Sequence, residues 1–264
     1  RGQVYQTITY EEDPDSSATP GTLSGDYLTT DYWYDPRGRL IKREGPNGLL
    51  TKTKYDGAGR VVATYLTYDA DEDTYAETYD SGNKCVKVDA TDTVVEETVQ
   101  AFDAAGNVIQ TTHYARTDDS NKEGALSSGA WSASDSRRTF TAAWYDDLGR
   151  VVRAADYGTN GGASLTDYDP ATGGDQTYAW CRTNGKPAPD SHDNMIVAEW
   201  EYDAATGRLT KTTDNKGIVT AREYDDLSRV LKTVENDVAT PTGSDEDRTT
   251  EYYPDAFGRL YKIT

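Results

Sequence analysis

The sequence is poor in the residues that metal centres and nucleophilic sites depend on. It holds two cysteines (Cys85 and Cys181), two histidines (His113 and His192), one methionine and three phenylalanines in 264 residues. No CxxC pair occurs, which argues against a zinc cluster or a dithiol redox motif. The two cysteines fit either one disulfide in an exported protein or two separate thiols. His113 and His192 are far apart and match no zinc spacing, so they read as surface imidazoles. No apolar run approaches 18 residues, so no segment reads as a membrane-spanning helix. The chain opens at Arg1 without a signal-like stretch and stops at "GRLYKIT", and we read it as a processed or excised piece of something longer. Positive charge is scarce, with 27 Lys and Arg against 46 Asp and Glu, for a formal charge of −19. Such a field repels nucleic acid and anionic membranes, so neither is expected as a partner. Only 35% of residues are hydrophobic, too few for a thick dry core. There is no Ser-His-Asp grouping, phosphate loop, nucleotide fingerprint or Asn-x-Ser/Thr acceptor.

What the sequence does have is tyrosine, 20 of them, many inside one recurring phrase. "YDPRGRL" (34–40) returns as "YDGAGRV" (55–61), "YDDLGRV" (145–151), "YDAATGRL" (202–209), "YDDLSRV" (224–230) and "YPDAFGRL" (253–260). "FDAAGNV" (102–108) is a divergent copy, "YDSGNK" (79–84) a shortened one, and "YDPATGG" (168–174) repeats the proline. Asp at the first turn position, Pro at the second and Gly at the fourth specify a type I turn. With the glycine left-handed, this is a hairpin connection with a G1 bulge. The turn residues are therefore Asp35 and Gly38, Asp56 and Gly59, Asp146 and Gly149, Asp203 and Gly207, Asp225, and Gly258. Ser228 stands where the glycine belongs, at a cost of about 1 kcal/mol if left-handed.

A second turn type sits between the phrases, as in Gly45-Pro46-Asn47-Gly48 and Asp214-Asn215-Lys216-Gly217. Two strands of about seven residues and two turns of about four give a unit of roughly 22 residues. The segments between turns, such as "LLTKTKY" and "RVLKTVE", are rich in Thr, Val and Tyr with two-residue alternation. The expected fold is all-β: an antiparallel hairpin meander of roughly 16–20 strands, too wide to stay flat, coiling into a spiral β-shell or a β-solenoid-like wall. Each repeat contributes a tyrosine and an arginine: Tyr34 with Arg39, Tyr55 with Arg60, Tyr145 with Arg150, Tyr202 with Arg208, Tyr224 with Arg229, and Arg259. The arginines are expected to pair with acids across neighbouring strands, and the tyrosines to approach one another along the sheet.

Tyr-Asp-x-x-Gly-Arg-Leu/Val resembles the signature of YD repeats, also called Rhs repeats. These occur in bacterial rearrangement-hotspot and wall-associated proteins, in the B and C components of insecticidal toxin complexes, and in animal teneurins. The resemblance covers nearly the whole chain. It implies a sheet spiralling into a hollow shell, which in toxin members encloses a C-terminal toxic domain. No segment resembles the family's core-closing region, so the expectation is shell wall without plug or payload. Residues 1–264 read as one repeat segment, with repeats near 34–101, 102–114, 145–176, 202–234 and 253–264. Inserted polar loops near 115–143, 177–200 and 235–250 are candidate binding surfaces.

The expected function is non-enzymatic, with no catalytic residue and no cofactor. The chain reads as a structural segment of an exported or cell-surface protein, serving scaffolding, encapsulation or adhesion. A toxin-enclosing cocoon and a carbohydrate-binding module are the alternatives. Its partners would be flanking repeats or copies of itself, with an encapsulated toxin domain or glycans next. Asp69, Asp71 and Asp73 alternate like the start of a calcium loop, but Thr74 and Asp80 break the pattern, and a solvated acidic stretch is the simpler reading. Trp131 and Trp180, in loops, are the candidates for stacking on sugar. Trp144 and Trp200, in strand patterns, are wall residues.

Overall fold

A computed structural model describes residues 2–12, 23–68, 92–117, 123–128, 135–159, 196–255 and 257–264. The described residues form fifteen strands and no helix. These are β1 (Gln6–Glu12), β2 (Leu23–Tyr34), β3 (Leu40–Glu44), β4 (Leu49–Tyr55), β5 (Val61–Tyr68), β6 (Thr93–Phe102), β7 (Val108–Arg116) and β8 (Ser136–Tyr145), followed by β9 (Val151–Gly158), β10 (Ile196–Tyr202), β11 (Leu209–Thr213), β12 (Val219–Tyr224), β13 (Val230–Glu235), β14 (Arg248–Pro254) and β15 (Leu260–Ile263). Their order in one open sheet is their order in sequence. The fold is an all-β antiparallel meander, as the hairpin chemistry requires.

Register carries the imprint of the repeated phrase. Trp33 pairs with Lys42 but Tyr34 with Leu40, so Ile41 is skipped. The same slip falls at Tyr55, Tyr145, Tyr202, Tyr224 and, in the last hairpin, Pro254. One strand gains a residue over its partner at the turn, which is what a bulge does, and the local twist increases there.

The chain divides into two compact units. The first comprises residues 1–101 and 111–138, the second 102–110 and 139–264. In the first, Ala63, Tyr65, Val94 and Leu126 form a small apolar cluster. Beside it lies charge: Lys52 donates to both carboxylate oxygens of Asp92 at 2.8 and 3.0 Å, with both side chains essentially inaccessible to solvent. Part of the inserted loop after β7 covers this core. Leu126 is fully buried, and the loop is held by Glu97, whose carboxylate accepts the Ser127 amide at 2.8 Å and its hydroxyl at 2.6 Å. Here a polar-looking insertion is cover as well as surface, because it carries the Ala125-Leu126 pair. In the second unit Phe140, Ala142, Ala155, Tyr157 and Val197 cluster, with Trp144 packed against them. His113 is half-buried, with Nδ1 3.2 Å from the Thr98 hydroxyl, rather than a solvated surface imidazole.

Candidate functional site

The residues singled out by the repeated phrase come together at the hairpin turns. In the turn at Asp35, Oδ1 accepts the amides of Arg37 and Arg39, both at 2.9 Å, and Oδ2 accepts Arg39 Nε at 2.6 Å. The backbone closes through Gly38 N–H to Asp35 C=O and Asp35 N–H to Arg39 C=O. Asp56 with Arg60, Asp146 with Arg150, Asp225 with Arg229 and Asp255 with Arg259 repeat this arrangement. Each of these arginines thus pairs with the aspartate of its own turn, four residues back, where the sequence alone points to acids on neighbouring strands. Burial opposes ionisation of Asp35, but the hydrogen bonds from Arg39 outweigh it and hold the carboxyl below its ordinary range. The amide and guanidinium of Arg60 do the same for Asp56.

Glycines at the fourth position are left-handed, with Gly38 at φ 85° and Gly59 at φ 89°. Ser228 takes the same conformation at φ 67°. The turn at Asp203 is one residue longer. Its carboxylate caps the Thr206 amide and hydroxyl, both at 2.6 Å, so Arg208 is released from its own turn. Arg208 instead grips the next one, donating to Ser228 Oγ at 3.1 Å and to the carbonyls of Asp225 and Asp226 at 2.6 and 3.1 Å.

That forward reach recurs. In the first unit Arg39 lies 4.3 Å over the Tyr55 ring, and the Tyr55 hydroxyl donates back to Leu40 C=O at 2.9 Å. In the second, Arg150 donates to Gly207 C=O at 3.1 Å and lies 4.4 Å over Tyr202, whose hydroxyl donates to Val151 C=O. Arg229 donates to Asp255 C=O at 3.1 Å, and the Tyr224 hydroxyl to Leu209 C=O at 2.7 Å. The repeat tyrosine therefore meets an arginine from the preceding turn. Arg259 keeps its aspartate, yet its side chain is 77% exposed against 22% for Arg39.

Two participants lack the arginine. Gln3 donates to Gly38 C=O at 3.0 Å, and the Tyr34 hydroxyl donates to Val4 C=O, so Gly2-Gln3-Val4 plays the part of Gly-Arg-Leu. The sequence signal was a glycine two residues before a valine, too short to register as a copy. Asn107 replaces arginine in the turn at Asp103, donating to Asp103 Oδ2 at 2.9 Å, while Tyr145 donates to Val108 C=O.

A family model described as RHS Repeat matches residues 34–68 and 202–244. Those two stretches are similar to RHS repeats. Each matched region contains Asp-capped turns of the kind just described, at Asp35 and Asp56 in the first and at Asp203 and Asp225 in the second. No curated protein matches the chain in sequence. Among solved structures, a TcdB2-TccC3 complex is similar at 14% identity and a TM-score of 0.24, covering 90% of this chain and 14% of that one. A Photorhabdus luminescens Tc holotoxin pore is similar at 12% identity and a TM-score of 0.21, covering 97% of this chain and 14% of that one. The chain thus spans about 14% of the length of these structures.

Asp69, Asp71, Asp73, Trp131, Trp180, Cys85, Cys181 and His192 lie outside the described residues. Among the described residues no three His, Cys, Asp or Glu side chains are placed to hold a metal ion.

Proposed function

We propose that this chain is a non-enzymatic wall segment of an exported or cell-surface RHS-repeat protein, serving scaffolding or encapsulation. One observation carries the reading: the motif's polar atoms are spent on backbone. The turn carboxylates hold their own turn's amides, the arginines hold the next turn's carbonyls, and the tyrosines donate back to the previous strand. An active site would leave such groups aimed at a shared open space. The high negative charge supports a solvated wall and disfavours nucleic acid as a partner.

Asp35→Ala tests this. Its carboxylate is buried and caps two amides, so the substitution should cost about 1–2 kcal/mol in denaturant unfolding. Binding to flanking repeats, to an enclosed domain or to glycans should persist in the folded variant. A broad hydrolase screen of parent and variant accompanies the melts. Turnover in the parent that vanishes in the variant at unchanged stability would overturn the wall reading.

A further inference from the structure

The rung formed by Asn107 differs from its neighbours in a way that suggests a binding site. In the rungs led by Arg39 and Arg150 an arginine occupies the space between turns, over Tyr55 and Tyr202 respectively. Asn107 is too short to do this. Its Nδ2 is taken by Asp103, and its Oδ1 lies 3.7 Å from the position a Cβ on Gly149 would occupy. Where an arginine serves, the atom facing the next turn's glycine is a guanidinium nitrogen, 3.2 Å away at Gly207. The Asn107 rung thus turns an acceptor toward a place where other rungs turn a donor. Between these turns, within the second unit, lies an open groove of about 780 Å3 lined by Asp103, Asn107, Ile109, Trp144, Tyr145 and Asp146.

We propose that this groove binds an arginine side chain of a partner polypeptide, seating its guanidinium between the two turns and against Tyr145, as repeat arginines sit elsewhere in the same sheet. The chemistry is complementary on three counts. A planar cation stacks on an aromatic face. Asn107 Oδ1 faces the space as an acceptor, the carboxylates of Asp103 and Asp146, each engaged within its own turn, add negative charge along the lining, and a guanidinium carries five donors in a fixed fork. The overall charge of −19 draws cationic partners. The negative field already reaches the ring: burial, then the Asp103 charge, push the Tyr145 hydroxyl above its ordinary range.

The test titrates the intact chain with acetyl-Gly-Arg-Gly-amide and follows backbone amide shifts by NMR. Saturable shifts are expected at residues 103–109 and 143–149. The citrulline peptide, isosteric but uncharged, should bind at least tenfold more weakly. The lysine peptide should also be weaker, since it stacks less well and lacks the fork. Asn107→Arg should fill the groove from within, abolishing the shifts and raising the melting temperature. Absence of saturable shifts, equal binding of the citrulline or lysine peptide, or undiminished binding by a folded Asn107→Arg chain would each overturn the proposal. The comparison of peptides on the unaltered chain decides the matter even if that variant does not fold.

Discussion

At the scale of single residues, a turn position is decided by backbone conformation first and side-chain partners second. Gly59, at φ 89°, has only Arg39 Nη1 near the place a Cβ would take, at 3.5 Å. Space is therefore not the obstacle to a side chain there; the left-handed backbone is. Gly59→Val should destabilise by about 1–2 kcal/mol or more in a denaturant melt, because a β-branched residue tolerates that region poorly. Ser228 poses the opposite case. Ser228→Gly relieves a strained φ but removes the hydroxyl that accepts from Arg208 Nε. The two effects oppose at about 1 kcal/mol each, so the melting midpoint should stay nearly constant. A large loss would mean that Arg208 depends on Ser228 more than on its two carbonyl partners.

At the scale of elements, the hairpins were legible because their information is local. Asp, Pro and Gly at fixed offsets dictate a turn whatever surrounds it, and the alternation of "LLTKTKY" gives β4 its buried Leu50 and Lys52 on one face. The arginine's partner was not legible, since four residues of spacing across a turn and a neighbouring strand are equal in sequence. Nor was the cover over the first core, where Leu126 and Glu97 meet only through the fold. That cover makes a pH prediction. Burial raises the Glu97 carboxyl above its ordinary 4.5, so the folded chain takes up a proton more readily there than the unfolded one. Its contribution to stability grows as pH falls through the folded value and is complete below 4.5. The turn aspartates are depressed below 3.8, so their contribution holds above 3.8 and is lost as pH falls further. Melting temperature should therefore rise from neutral pH toward 4.5, then fall below 3.8. Glu97→Gln should flatten the rise relative to the parent while keeping the fall. Parallel curves for the two proteins, measured by calorimetry at stepped pH, would refute this role for Glu97.

At the scale of the molecule, β1 and β15 are the two edge strands of the sheet among the described residues. Leu260, Tyr261 and Ile263 of β15 are exposed, as are Ile8 and Tyr10 of β1. Unpaired strand edges template association. The chain should therefore self-associate, and association should strengthen with added salt as the repulsion of nineteen negative charges is screened. Sedimentation velocity across concentration and ionic strength reads this directly. A monodisperse monomer throughout would show that the edges are protected.

The forward reach of the arginines gives the array a grain. Arg150, Arg208 and Arg229 are each anchored by the turn that follows, whereas Arg259, 77% exposed, has its partners among the described residues within its own turn, at Asp255 and over the Phe257 ring. Repeat arrays draw their stability from nearest-neighbour interfaces, so a link secured at one end alone is the first to let go. Unravelling should begin at β15 and travel backward, one hairpin at a time, slowing at each rung where a guanidinium still has a carbonyl ahead of it. Native-state hydrogen exchange would display this as a staircase of protection, lowest at 260–263 and climbing through 230–235 and 209–213. Uniform protection along the second unit would mean that the rungs let go together.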